Sequence, residues 1–249
     1  MLAVMTFVFI TGLVVGSFLN VCIYRLPNNQ SIVSPPSHCP GCHQRLGVLD
    51  LIPVVSYLVQ KGKCRYCGVK ISPRYLFVEL LTGIAFVLIV TVFGFQFQTL
   101  LYVLLFCALL TASLIDLDYQ IIPDQISLFL VVSGLILQAF GPPGALMNGV
   151  IGGLLGGGLL LVLAILSRGG MGGGDVKLIT GIGIFLGWQL LLVCLFFSFI
   201  IGSLVGLALI IVQNKDMKTA VPFGPFLSAG AIIAIFYGQQ IIDKYLTYF

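Results

Sequence analysis

Long apolar stretches dominate this chain, broken by short polar turns and by one long polar segment between Arg25 and Arg74. A helix rises 1.5 Å per residue, so about twenty apolar residues cross the hydrocarbon of a bilayer. Eight stretches predict such helices: Thr6 to Tyr24, Arg74 to Phe93, Thr99 to Ile115, Ile126 to Phe140, Met147 to Leu166, Val176 to Gly187, Leu190 to Val212 and Phe226 to Ile242. The fourth and sixth are the shortest. No positive charge precedes the first stretch and no small-residue cleavage site closes it, so it reads as a retained span rather than a signal peptide.

Composition agrees with a bilayer as the main solvent. Of 249 residues 59% are apolar and only 8% charged, where a soluble domain carries roughly 25% charged residues. The net charge of +4 is largely a property of the polar segment, because seven of the twelve Lys and Arg (Arg25, Arg45, Lys61, Lys63, Arg65, Lys70 and Arg74) lie in it. A basic loop beside membrane spans follows from the bias that keeps Lys and Arg on the cytoplasmic side, so nucleic acid is not the expected partner. That bias puts the N-terminus outside and the Arg25 to Arg74 loop in the cytoplasm. Counting spans then brings the turns around Asp116 to Asp124, Arg168 to Asp175 and Gln213 to Val221 to the cytoplasmic side. Arg168, Lys215 and Lys218 in these turns agree, and the outside turns Gly94 to Gln98 and Gly141 to Leu146 carry no cation.

The expected fold is therefore all-α: a polytopic membrane protein with about eight transmembrane helices and a small cytoplasmic zinc-binding loop domain. Its parts are a first helix (1–24), a four-cysteine loop (25–74) and a transmembrane core (75–249). The loop carries Cys39-Pro-Gly-Cys42 and Cys64-Arg-Tyr-Cys67, two C-x-x-C pairs separated by 21 residues. Each pair presents two thiolates on one turn, and two turns supply the tetrahedral sulfur set of a structural zinc site. Gly41 and Gly68 sit where the turns call for relaxed backbone, and Pro40 stiffens the first. A disulfide or redox pair is the rival reading, which a reducing cytoplasm disfavours. His38 and His43, the only two histidines, flank the first pair and read as solvated. Cys22, Cys107 and Cys194 read as small buried side chains.

Ionisable residues are costly in hydrocarbon, so those near spans are candidates for chemistry. They are Glu79, Asp116, Asp118, Asp124, Asp175 and Lys177. Glu79 fits an internal hydrogen bond or ion pair, and Lys177 a snorkelling cation. Both histidines are in the cysteine loop and no H-E-x-x-H occurs, which removes the serine–histidine and zinc protease arrangements. Paired carboxylates remain: one holds a proton while the other takes one from water. The segment Gly172-Gly173-Gly174-Asp175 matches the G-x-G-D pattern of intramembrane aspartyl proteases, and the segment Asp116 to Asp124 supplies a second aspartate. Asp116 and Asp118 are about 200° apart on a helix and cannot face one partner. Asp124, after Pro123, is placed to cap the fourth helix. The glycines at 149, 153 and 157, with 152 and 156, predict close helix packing.

The order of motifs resembles that of the type IV prepilin peptidases over nearly the whole chain. The matching pieces are Gly16 to Pro27, the paired C-x-x-C loop, Arg74 to Gly83, Asp116 to Asp124, Gly172 to Lys177 and Pro222 to Leu227. The resemblance implies an aspartic endopeptidase of the bacterial inner membrane that cuts the leader from prepilins or pseudopilins at the cytoplasmic face, with Asp116 and Asp175 as catalytic pair. It also implies methylation of the new N-terminus by S-adenosylmethionine, although no strand is followed by a G-x-G-x-x-G turn to hold that donor. Two other functions suit part of the pattern: a zinc-stabilised transporter using the buried aspartates for protons or cations, and a non-enzymatic assembly subunit that docks through its zinc loop.

Overall fold

The computed structural model describes residues 1–167, 170–213 and 221–248; Arg168, Lys215 and Lys218 lie outside the described residues. Helices α1 (Leu2–Arg25), α2 (Val55–Val59), α3 (Pro73–Phe93), α4 (Phe97–Tyr119), α5 (Asp124–Ala139), α6 (Ala145–Leu166), α7 (Gly173–Gln213) and α8 (Gly224–Tyr248) follow in chain order. Among the described residues there is no strand, only two isolated bridges. Among the described residues six helices are long and apolar enough to cross a membrane, and α5 is a shorter apolar helix. The chain forms two compact units, Met1–Thr99 and Leu100–Phe249.

The longest of these helices contains two of the expected spans. At 1.5 Å per residue its 41 residues would reach about 61 Å, twice the hydrocarbon thickness. It does not run straight, because Gly187 takes φ 74° and ψ 170°, outside the helical region. The arms fold back on each other: Gly156 lies against both the Ile179 carbonyl and the Leu191 side chain, which a continuous helix would hold about 18 Å apart. A break between the two arms leaves backbone groups without helical partners. Gln138 Nε2 donates to the Ile184 and Phe185 carbonyls at 2.9 and 3.3 Å, and the Trp188 amide donates to Asn148 Oδ1 at 3.2 Å. Polar side chains on α5 and α6 thus satisfy the turn.

Small residues set the close packing. The helix pair α6 and α7 meets through Gly149, Gly152, Gly153 and Gly156 against the backbone or side chains of Ile179 to Gly187, the role expected of the glycine repeat. In the first unit Gly12 faces the Gly83 backbone, and Gly16 approaches the Glu79 Cα. Of the three separate cysteines, Cys22 and Cys194 are buried and Cys107 is half-buried.

Contacts in the second unit also sort its turns by end. The ends of α4, α5, α7 and α8 near Asp116, Ile122, Gly174 and Gly224 meet each other. The α5–α6 connection meets the Gly187 break.

Candidate active site and cysteine cluster

Asp116 stands near the C-terminal end of α4, which continues one turn past the apolar run and stops at Gln120, a left-handed residue with φ 54° whose amide bonds the Asp116 carbonyl. The carboxylate points inward, and Asp116 is only 5% exposed. Its Oδ2 accepts a 2.9 Å hydrogen bond from the Gly224 amide at the start of α8. Gly224 leaves little room there, because a Cβ on it would lie 2.8 Å from that oxygen.

Asp175 is the third residue of α7 and 8% exposed. The glycines before it let neighbours approach: a Cβ on Gly172 would stand 3.2 Å from Asp175 Oδ2, and one on Gly174 3.1 Å from the Ile122 Cβ. Ile122 also reaches Gly224, where an added Cβ would meet its Cδ1 at 3.3 Å. One side chain therefore packs against the residue that holds Asp116 and the residue that precedes Asp175. Both carboxylates thus stand at the same end of the second unit. Such a pair can bind one water and share one proton.

Other acids fall elsewhere. Asp118 is exposed, as the 200° rotation from Asp116 requires. The expected cap at Asp124 is not formed: Pro123 occupies the N-cap position of α5 without a side-chain cap bond. Asp124 is already the first helical residue, and its carboxylate instead receives Lys177 Nζ at 2.7 Å, with both side chains exposed. Glu79 belongs to the first unit, where its Oε2 accepts the Val54 amide at 2.7 Å. That is the internal hydrogen bond the sequence suggested.

In the same unit the Sγ atoms of Cys39, Cys42, Cys64 and Cys67 all lie within 4.8 Å of one another, and none is in a disulfide. The 3.8 Å between the Cys39 and Cys67 sulfurs equals the edge of a tetrahedron with zinc–sulfur bonds of about 2.3 Å. The two turns are built alike. The Cys39 amide bonds the Gln44 carbonyl as the Cys64 amide bonds that of Val69, and the His43 amide bonds the Cys39 carbonyl as the Gly68 amide bonds that of Cys64. The left-handed position follows the second cysteine in both, at His43 (φ 56°) and Gly68 (φ 73°). Gly68 thus has the expected role, whereas in the first turn His43 has it in place of Gly41. Nearby amides, that of Cys42 foremost, pull the Cys39 thiol down to about 6 against the effect of burial.

Two family models match this chain: the bacterial peptidase A24 N-terminal domain over residues 10–93, and the type IV leader peptidase family over residues 103–207. The chain is 35% identical to a prepilin leader peptidase/N-methyltransferase of Bacillus subtilis, covering 97% of this chain and 98% of the relative. The chain belongs to the type IV leader peptidase family. The proteins of the same name from Aeromonas hydrophila and Pseudomonas aeruginosa are each 35% identical, over 97% and 95% of this chain and 93% and 91% of theirs. No solved structure matches it. The comparisons give the transporter reading no support.

Sequence reasoning had not singled out three residues of this peptidase that the structure places in working positions. Gly224 lies 108 residues from the carboxylate it holds, and only its place in the Pro222 to Leu227 motif marked it. Arg25 was noted as a topological charge, yet it is buried and donates to the Ser31 and Pro35 carbonyls at 2.8 and 2.7 Å, fixing the start of the loop. Asp50 accepts from the Gly47 amide, Gln60 Nε2 and the Tyr66 hydroxyl at 3.0, 3.0 and 3.1 Å. It ties together the segment between the cysteine pairs, and no local pattern announces it.

Proposed function

We propose that this peptidase removes the leader from prepilin-like or pseudopilin substrates at the cytoplasmic face of the bacterial inner membrane, with Asp116 and Asp175 as its catalytic pair. The observation that carries this reading is the burial of both carboxylates at one end of the second unit, where Ile122 packs against both Gly174 and Gly224 and where unpaired acids would be costly. In the proposed step, the ionised carboxylate takes a proton from water as the water oxygen bonds to the peptide carbonyl carbon. The protonated partner gives its proton to the carbonyl oxygen. Collapse of the tetrahedral species breaks the C–N bond, and the amine leaves with a proton returned by the pair. The Gly224 amide bonds one oxygen of Asp116, and in the proposed step the other oxygen meets the water. Incubating the detergent-solubilised enzyme with a prepilin-like peptide tests the reading: a shortened product cut at one bond supports it, and an intact peptide defeats it.

Topology follows from the basic loop: N-terminus outside, cysteine loop and both aspartates toward the cytoplasm. The four sulfurs fit zinc in number, softness and spacing, and four thiolates would leave no coordination site open for substrate, so the metal's task would be to fold the loop. The names of the relatives support a second activity, transfer of a methyl group from S-adenosylmethionine to the new N-terminal amine.

A further inference from the structure

The segment between the two cysteine pairs is inside out for a protein surface in water. A 3-10 turn at Val48–Leu51 is followed by the short helix α2, and Val48, Leu49, Val55, Leu58 and Val59 are each more than half exposed. On α2 the exposed residues Val55, Leu58 and Val59 have the spacing of one helix face. The other face is polar and turned inward. Ser56, Tyr57 and Gln60 line an internal cavity, and Gln60 Nε2 donates to Asp50 Oδ1 at 3.0 Å. A contiguous apolar surface of this kind meets something other than water.

One hydrogen bond sets the level at which this segment lies. The Val54 amide donates to Glu79 Oε2 at 2.7 Å, and Glu79 is five residues past Arg74 on α3, a helix long and apolar enough to cross a membrane. At 1.5 Å per residue that is about 8 Å along α3 from the cation at its start, the depth to which an interfacial segment buries its apolar face. Val54 takes φ 64° there, which is unfavourable for a β-branched residue and persists only where the surroundings hold it. The backbone is fitted for low-dielectric surroundings, where its polar groups need partners: the amides of Ser56, Leu58 and Gln60 donate to the carbonyls of Ile52, Val54 and Ser56, each at 3.0 Å. Directly after α2 the charge changes. Exposed Lys61, Lys63 and Lys70 border one hollow, and cations so placed complement the anionic headgroups of a cytoplasmic leaflet.

We infer that residues 48–59 form an in-plane membrane anchor, with the Val48, Leu49, Val55, Leu58 and Val59 side chains in the acyl boundary of the leaflet and Lys61, Lys63 and Lys70 at its phosphates. The partner of this surface is lipid. The segment between the cysteine pairs is then not wholly in water: it dips into the bilayer from the side on which it starts and ends, and holds the cysteine loop against the membrane surface. Glu79 gains a task in this arrangement, since it gives the Val54 amide an acceptor at a depth where water does not. The inference is independent of peptide cleavage and of methyl transfer.

Labelling from the lipid phase tests the anchor on the wild-type full chain. The protein is reconstituted in vesicles of phosphatidylethanolamine and phosphatidylglycerol that contain a phospholipid with a diazirine near the ester end of its acyl chain. Illumination makes a carbene that inserts into the side chains it touches, and peptide mass spectrometry maps the adducts. Adducts at Val55, Leu58 and Val59 should match those at Phe77, an exposed residue of α3, and exceed those in the turn from Cys64 to Val69 by about tenfold. Hydroxyl radicals made in the water phase should rank the same sites in the opposite order. Strong radical labelling without lipid adducts would show a face in water, and neither label would show a face covered by protein, whether the second unit or another copy of the chain. Either result overturns the anchor.

Discussion

The Gly224 amide donates a 2.9 Å hydrogen bond to Asp116 Oδ2, joining the start of α8 to the end of α4 across 108 residues of sequence. That bond orients a carboxylate that would otherwise rotate, and the missing side chain lets the two helices meet. Gly224→Ala keeps the amide but sets a Cβ 2.8 Å from the oxygen and 3.4 Å from the Asp116 Cβ. The carboxylate must shift. A displacement of about 1 Å is enough to lower kcat on the order of 10²-fold, and KM should change much less because substrate contacts elsewhere are retained. Steady-state cleavage kinetics check this, and an alanine variant with wild-type kcat contradicts it.

The Lys177–Asp124 pair is exposed on both sides, and exposed pairs contribute about 0–1 kcal/mol. Asp124→Asn and Lys177→Met should therefore lower stability by similar small amounts, and the double variant should lose little more than either single. A cap at Asp124 would show a different pattern, with loss on changing Asp124 and none on changing Lys177. Thermal melting of the three variants in detergent separates the two.

The break at Gly187 depends on Gln138, whose amide serves two carbonyls that α7 cannot satisfy. Gln138→Leu leaves those groups in an apolar environment at a cost of about 1–3 kcal/mol. We expect a lower melting temperature with Asp116 and Asp175 still in place, so specific activity at low temperature should survive. Melting and cleavage measured on the same preparation test both halves of that statement.

Much of this architecture was legible because hydrocarbon permits so few solutions. Apolar run lengths gave the helix ends to within about six residues, and the Gly187 turn fell at the end of the sixth run, where the sequence already separated two spans. The C-x-x-C pairs marked the cysteine cluster, since four thiols at that spacing have few other uses. What escaped was non-local. Asp124 looked like a cap because Pro123 and a helix start are visible nearby, whereas its actual partner, Lys177, is 53 residues away. Gly41 looked like the flexible turn position, but the backbone bonds at Cys39 place the left-handed residue one step past Cys42, at His43. Gln138 carries no local signal, and Gly224 only its place in the Pro222 to Leu227 motif, because each acts through a contact made only when distant helices pack.

Metal should be a requirement of the loop rather than of hydrolysis itself. We expect about one zinc per chain, bound by Cys39, Cys42, Cys64 and Cys67. Cys39→Ser, or extraction by a strong chelator, should release it and open the loop to limited proteolysis before the second unit unfolds. Metal analysis alongside protease mapping tests this, and a metal-free loop that stays resistant would contradict it.

We propose that Asp116 and Asp175, and not the neighbouring acids, break the peptide bond. Cleavage of a prepilin-like peptide by purified Asp116→Asn, Asp175→Asn and Asp118→Asn variants measures it directly. We expect at least about a 10²-fold loss in the first two, in folded proteins, and substantial activity in the third, whose side chain is exposed. An active Asp116→Asn enzyme beside an inactive Asp118→Asn enzyme would contradict it.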